Sequence, residues 1–407
     1  MTSGEDRVAQ GWEALNGRLV EVARPNSRDE RFRRTGTLVN APVSRGSTML
    51  FADLDAMRRV GGERYEHTAI YGAMGSPVQH ELERAVAALE GGGDTQIVSS
   101  GLAACTTALL TWTSSGGHCL LPDSCYGPTR RFADTILRRF GVETTYYGPM
   151  ISEDALRQLM RPNTQVVFAE SPGSHTFEVQ DVPMLARVAH EWGARVLLDN
   201  TWGFGVFAPF VHGVDVSIQA LTKYAGGHSD VIVGAITAAS EDDWQMLRDA
   251  AIQLGQVAGP DDCWLTLRGL RSMGVRLARQ ARTAWRVASW LREQPRVAQV
   301  LYPAFPECPG HEFWERDFTG AGPLFTVVLD RSCDRAGMER MINGLTRFGI
   351  GASWGGYESL VLPTTGGISR SLTGALPESP AFRPAIGLDD ADDLIADLDS
   401  GFGRLNG

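Results

Sequence analysis

Between residues 66 and 265, short apolar runs alternate with helical patterns, and this alternation constrains the fold more than any other feature. The runs at 96–100 (QIVSS), 118–123 (HCLLPD), 142–147 (VETTYY), 165–170 (QVVFAE), 194–200 (ARVLLDN), 215–220 (DVSIQA) and 231–237 (VIVGAIT) read as strands. Helical spacing over 102–112, 128–140 and 181–192 fills several of the gaps. An earlier helix opens at Ser76-Pro77: Ser76 suits the cap, Pro77 the first turn and Gln79 the capping-box position, and Gly91-Gly92-Gly93 ends it. Strand–helix alternation predicts an α/β architecture, a mostly parallel sheet with helices on both faces.

The flanks differ. Residues 1–65 are polar, carry a basic cluster at Arg28, Arg31, Arg33 and Arg34, and lack a sustained rhythm, so they read as an arm packed on something larger. A long helical stretch over 262–293, strand-like runs at 324–330 and 359–363, and a closing helix after residue 390 predict a smaller C-terminal α+β domain. The Gly-, Ser-, Thr- and Pro-rich stretch 364–380 reads as a loop. The expected boundaries are 1–65, 66–265 and 266–407, in keeping with a 407-residue chain at roughly 100–200 residues per domain.

Composition excludes several functions. A net charge of −10 does not suit a surface that tracks a nucleic-acid backbone, although it leaves room for a pocket that holds one small anion. None of the six cysteines forms a C-x-x-C pair, so zinc ribbons and thioredoxin-type motifs are not expected, and buried free thiols are. The histidines, among them His175, His228 and His311, show no H-E-x-x-H spacing, and no metal is expected. The N-terminus has no basic segment followed by an apolar one, and no window reaches about 18 apolar residues. The expectation is a cytoplasmic protein outside any membrane.

Chemistry concentrates at the strand ends. Lys223 follows the 215–220 strand and precedes Gly226-Gly227, a place from which an amine can enter a cleft. Desolvation there lowers a lysine's pKa and makes it a nucleophile toward an aldehyde. By itself a lysine after a strand is most often surface decoration. Asp199 ends the most apolar strand, so a carboxylate and an amine stand at the carboxyl edge of one sheet, where open α/β sheets bind ligands. Pyridoxal 5′-phosphate (PLP) needs that pair: a lysine for its aldehyde and an acid for its pyridine nitrogen. Ser99-Ser100-Gly101-Leu102 turns from a strand into a helix and offers an anion site, to which Thr222 can add a hydroxyl. Tyr126, after another strand end, can stack on a planar ring.

Long stretches then carry a resemblance: PDSCYGPTRRF, FAESPGSHTFEVQDVP, LLDNTWGFGV, DVSIQALTKYAGGHSD, LRGLRSMGVRL, HEFWERDFTGAGPLF, SWGGYESL and IGLDDADDLIADLDSGF. From about 40 to 405 the chain resembles the cystathionine β-lyase branch of the Cys/Met-metabolism PLP enzymes, of fold type I. The resemblance implies a Schiff base on Lys223, Asp199 on the pyridine nitrogen, Tyr126 stacked on the ring, and Gly101, Leu102 and Thr222 at the phosphate. It implies that Arg383 clamps the substrate α-carboxylate, and that Ser353, beside Trp354, orients the lysine and the carboxylate. It also implies a homotetramer of active-site dimers, in which the N-terminal arm contacts a neighbouring subunit and Tyr71 reaches that neighbour's phosphate.

Three positions depart from the family pattern. Ala73 stands where Tyr-x-Arg supplies a phosphate-binding arginine, with Arg64 and His67 nearby as replacements to be tested. Ala352 replaces a tyrosine or glutamate, and Ile252 a tyrosine. All three belong to the distal part of the family's substrate pocket. The implied reaction is β-elimination from an S-substituted, cystathionine-like amino acid to a 2-keto acid, ammonia and a thiol. Lys223 takes the Cα proton, and Lys223, Tyr126 or Tyr71 protonates the leaving group. Two alternatives stand beside it. One is γ-elimination or γ-replacement on a smaller or more apolar amino acid, with a leaving group that need not be sulfur. The other is a scaffold that has lost catalysis.

Overall fold

The computed structural model describes residues 3–22, 38–364, 368–372 and 379–405. Arg28, Arg31, Arg33 and Arg34 lie outside the described residues, as does part of the 364–380 stretch. Seven strands, β1 (Asp94–Val98), β2 (His118–Pro122), β3 (Glu143–Tyr147), β4 (Thr164–Glu170), β5 (Arg195–Asp199), β6 (Val216–Gln219) and β7 (Gly234–Ala238), form a sheet in the order β1-β7-β6-β5-β4-β2-β3. Only β7 runs against its neighbours; β6, β5, β4, β2 and β3 pair in parallel. Because β1 and β6 both oppose β7, β1 also shares the common direction.

Both faces of this sheet are covered, which explains strands that are apolar almost throughout. Val166, Phe168 and Leu197 pack into one hydrophobic cluster, while Val167, Ala169, Val196 and Leu198 enter the other. The alternation along β4 and β5 is the two-residue period of a strand with helices on each side. The helix Gly101–Trp112 covers the first face through Ala104, Cys105, Ala108, Leu109 and Trp112, at helical spacing.

A second sheet, ordered β10-β11-β12-β9-β8, uses β8 (Val297–Leu301), β9 (Thr326–Leu329), β10 (Gly349–Ile350), β11 (Leu360–Pro363) and β12 (Ala381–Ala385). The 33-residue helix Pro260–Arg292 links the two halves. β8, β10 and β12 were not anticipated. β12 contains Arg383 and Pro384, residues that argue against a strand by composition, yet it pairs with both β11 and β9.

Other local expectations shift. Ser76 makes no capping bond, and its Oγ is buried without a partner, while Gln79 donates to the Ala258 carbonyl at 2.6 Å. A tertiary contact has taken the Gln79 side chain away from the helix end. The helix expected over 128–140 is a short α-helix, Gly127–Phe132, continued by a π-helical turn at Ala133–Leu137. The strand expected from 231 begins at Gly234. The N-terminal region, expected to lack rhythm, opens with the amphipathic helix Gly4–Val22, which buries Val8, Trp12, Leu15 and Leu19. It lies against Pro260–Arg292, where Gly274 admits it: a Cβ there would meet the Trp12 carbonyl oxygen at 2.7 Å. All six cysteines are buried and free.

Candidate active site

Five strands with a common direction deliver their carboxyl ends to one cavity of about 290 Å³. β1 leads to Ser100, Gly101 and Leu102, β2 to Tyr126, β4 to Glu170 and the loop through Phe177, β5 to Asp199 and Thr201, and β6 to Thr222 and Lys223. The second sheet closes the cavity with Trp354 and Arg383. A sheet edge collects residues far apart in sequence because each strand ends in a loop free to vary.

Lys223 is held from the C-terminal half. Its Nζ donates to Ser353 Oγ at 2.8 Å and lies 5.5 Å from the Trp354 ring centroid. Burial and the Arg383 charge push its pKa down to about 8, with Asp199 pulling the other way. Ser353 has a φ of +98° and also accepts from Arg383 Nη2 through its carbonyl at 3.3 Å. A non-glycine residue in that region is strained, and strain is kept where surrounding structure imposes it. Arg383 is buried, its Nε lacks a partner, and burial lowers its pKa to about 10. A buried guanidinium with open donor capacity is poised for an incoming carboxylate.

Asp199 lies opposite Glu170 in the β4–β5 register. Its Oδ1 accepts from Thr201 N at 3.1 Å and Thr201 Oγ1 at 2.6 Å. Burial raises its pKa, and raises that of Glu170 well above the ordinary carboxylate range, with the Asp199 charge adding to the effect. Glu170 Oε2 accepts from Tyr126 N at 2.6 Å, which fixes the backbone beneath the aromatic ring. Tyr126 itself is 45% exposed, so its ring is available for stacking.

The turn from β1 into the helix Gly101–Trp112 forms at Ser99-Ser100. Ser100 Oγ caps Ala103 N at 3.0 Å, and the first-turn N–H groups of a helix have no acceptor within the helix. Gly101 is needed for contact: a Cβ there would sit 2.4 Å from Ala220 Cβ, at the end of β6. Thr222 also lines the cavity. Its Oγ1 donates to Val233 O at 3.2 Å and accepts from Val233 N at 3.1 Å, so its proton is engaged by the backbone.

Five expected residues do not line this cavity: Tyr71, Ala73, Ile252, Ala352 and Ser353, the last of which still bonds Lys223. Tyr71 and Ala73 are exposed, on a segment bridged to Thr48. Ile252 is half-buried in the helix Glu241–Gln253, one turn beyond Arg248, which bonds the Met74 carbonyl. Ala352 is exposed beside Ser353. The suggested replacements for the arginine missing at Ala73 are engaged elsewhere. Arg64 binds Tyr65 Oη at 2.6 Å and Asp249 at 3.2 Å, and His67 is held between Glu83 and Asp94 at 2.8 Å each. His67, His80 and Glu83 converge closely enough to hold a cation, but the protein's own hydrogen bonds already use both His67 nitrogens.

Glu170, His175, Phe177, Thr201 and Trp202 line the cavity without having been singled out from the sequence. One signal was available and strong: Lys223 is the only lysine in all 407 residues, every other basic side chain being arginine. A chain that keeps a single lysine and buries it is not using it for surface charge.

These residues fit PLP. A buried carboxylate whose hydrogen bonds come from Thr201 and Cys105, a lysine that loses its proton readily, an exposed aromatic face and a helix N-terminus open on one cavity. Fold and site together define a PLP enzyme of fold type I. A family model described as Cys/Met metabolism PLP-dependent enzyme matches residues 22–403, and the chain belongs to that family. It is similar to a cystathionine β-lyase of Bordetella avium, 41% identical over 88% of this chain and 91% of the relative. It is also similar to an L-alanine/L-glutamate racemase of Wolbachia pipientis, 38% identical over 90% and 93%. The solved cystathionine γ-synthase of Xanthomonas oryzae superposes with a TM-score of 0.85 at 27% identity, covering 95% of this chain and 98% of that one.

Proposed function

We propose that the chain is a PLP-dependent carbon–sulfur lyase that eliminates a β-substituent from an S-substituted, cystathionine-like amino acid, giving a 2-keto acid, ammonia and a thiol. The observation that carries this reading is the convergence of Lys223, Asp199 and Arg383 on one cavity. Lys223 would bind the cofactor aldehyde and Asp199 the pyridine nitrogen. Tyr126 would cover the ring, and Gly101 and Leu102 would take the phosphate. Bound there, PLP supplies an electron sink for the charge left when Cα loses its proton.

The chain's own groups do the rest. Arg383 receives the α-carboxylate through paired N–H donors and fixes which substrate bond faces the lysine. The Lys223 amine would take the Cα proton; its lowered pKa of about 8 keeps part of it neutral at physiological pH. Ser353 Oγ holds that amine in place. Lys223 or Tyr126 then returns a proton to the departing sulfur, as does Tyr71 if a neighbouring subunit brings it into reach. The protein acts as a cytoplasmic homo-oligomer of active-site dimers.

A second reading, a smaller or more apolar substrate with γ chemistry or a non-sulfur leaving group, is favoured by the apolar Ala73, Ile252 and Ala352, which lie outside the cavity of one chain and bear on the substrate where a neighbouring subunit completes the pocket. A pocket without polar partners binds a distal amino-acid group poorly. Incubating the cofactor-loaded enzyme with L-cystathionine and with S-methyl-L-cysteine separates the readings. Pyruvate from both is expected. Pyruvate from S-methylcysteine alone supports the smaller substrate, 2-oxobutyrate indicates γ-elimination, and D-alanine formed from L-alanine without any keto acid contradicts both lyase readings. Absence of turnover together with absence of a visible cofactor band is the scaffold outcome.

A further inference from the structure

The loop after β4 holds an unusual residue. His175 lines the cavity together with Arg383, and its φ is +65°, in the left-handed region that non-glycine residues rarely occupy. Phe177, two residues on, has a φ of +58°. The backbone there is held against its preference from several sides. Ser174 N donates to Ser124 O at 2.9 Å, Gly173 N to Glu178 O at 2.9 Å and Phe177 N to Gly173 O at 3.0 Å. Arg370, from the second half of the chain, donates to Glu178 at 3.0 Å and bonds Thr176. Strain maintained by this many contacts at a cavity wall points to a side chain kept there for use.

The ring is unsatisfied. Among the described residues His175 Nδ1 is buried without a partner, and neither ring nitrogen is hydrogen-bonded. Burial, with the nearby Arg383 charge adding to it, lowers its pKa to about 4, so the imidazole is neutral and carries one N–H. A carboxylate bound to Arg383 offers about four lone-pair directions. A bidentate guanidinium uses two, and those left over inside a cavity need further donors. A neutral imidazole supplies one without adding a second positive charge to a pocket that already contains Arg383 and Lys223.

We propose that His175 is a substrate-binding residue that donates a hydrogen bond to the α-carboxylate held by Arg383. This rests on the reading of Arg383 as the carboxylate anchor. His175 therefore selects for the acid end of the substrate and is indifferent to the leaving group.

The test uses two ligands that carry no leaving group. L-Alanine has the α-carboxylate; ethylamine has the same amine and chain without it. Binding of each to the cofactor-loaded enzyme is followed by the change in cofactor absorbance, for the wild type and for His175→Gly, His175→Asn and Arg383→Leu. Glycine and asparagine both tolerate the positive φ, so neither variant is penalised by backbone strain. His175→Gly is expected to bind L-alanine about tenfold more weakly or worse, with ethylamine unchanged. His175→Asn, which keeps an N–H, is expected to recover part of the loss. An equal loss for both ligands, or wild-type affinity for L-alanine in His175→Gly while Arg383→Leu fails to bind it, overturns the role of His175 and leaves the anchor standing. Wild-type affinity in Arg383→Leu overturns the anchor itself.

Discussion

Lys223, Asp199, Tyr126, Gly101 and Arg383 were legible as individual residues, and the structure gathers all five around one cavity. Lys223, Asp199, Tyr126 and Gly101 stand at strand ends, where the pairing of an amine with a carboxylate at one sheet edge gave them meaning that a lone lysine lacks, whereas Arg383 was reached only through the family resemblance. The electrostatics around Lys223 were not legible, because they depend on Arg383, 160 residues away, and on Ser353. They make a prediction. Only the neutral amine attacks an aldehyde, so the rate at which apoprotein captures PLP should rise with pH and level off above about 8, well below the ordinary lysine range. Removing the neighbouring cation in Arg383→Leu stabilises the ammonium form, so the midpoint should move to higher pH. Stopped-flow absorbance across a pH series reads both. Thr222 shows a limit of sequence reasoning: its hydroxyl lines the cavity, and only the fold brings it to the Val233 carbonyl to which it donates.

The large, mostly parallel sheet was readable from its elements because short, nearly continuous apolar runs alternate with helical spacing in the sequence. The second sheet was half readable, since Arg383 and Pro384 disguise β12. The helix Gly4–Val22 was missed as an element although Val8, Trp12, Leu15 and Leu19 have helical spacing. It reaches the active site indirectly: Trp12 packs edge-on against Tyr224, next to Lys223, at 5.6 Å and donates to the Ala321 carbonyl at 2.9 Å. Trp12→Ala should destabilise the protein by about 3–5 kcal/mol, measured by denaturant unfolding. His67 anchors the segment that leads to Tyr71. Burial works against its charge, but the hydrogen bonds to Asp94 and Glu83 prevail and raise its pKa to about 9. A raised histidine pKa stabilises fully below the unfolded value of 6.5 and stops contributing as pH rises through about 9. His67→Gln should therefore lower Tm more at about pH 6 than at about pH 9.5, and equal losses at both would show that the clamp is not ionic.

At the scale of the whole molecule, the cavity of one chain is lined without Tyr71, Ala73, Ile252 or Ala352, and the segment preceding Tyr71 exposes several large apolar side chains among its charges. Leu50 is 95% exposed, and Leu54, Met57 and Tyr71 are exposed as well. A second copy covering this segment accounts for both observations. Sedimentation should give a mass at least twice the 44.2 kDa of the chain. Leu50→Glu should shift it toward monomer and lower activity with it; a monomeric, fully active variant would remove Tyr71 from the mechanism.

The central claim is that Lys223 carries the cofactor, and the chain's composition makes it unusually easy to test. With one lysine in the sequence, borohydride reduction of the PLP-loaded protein can fix the cofactor only there or at the chain's terminal amine. Peptide mapping by mass spectrometry should find one pyridoxyl group per chain, on the peptide that contains Lys223. A chain left unlabelled, or labelled only at its N-terminus, would contradict the account.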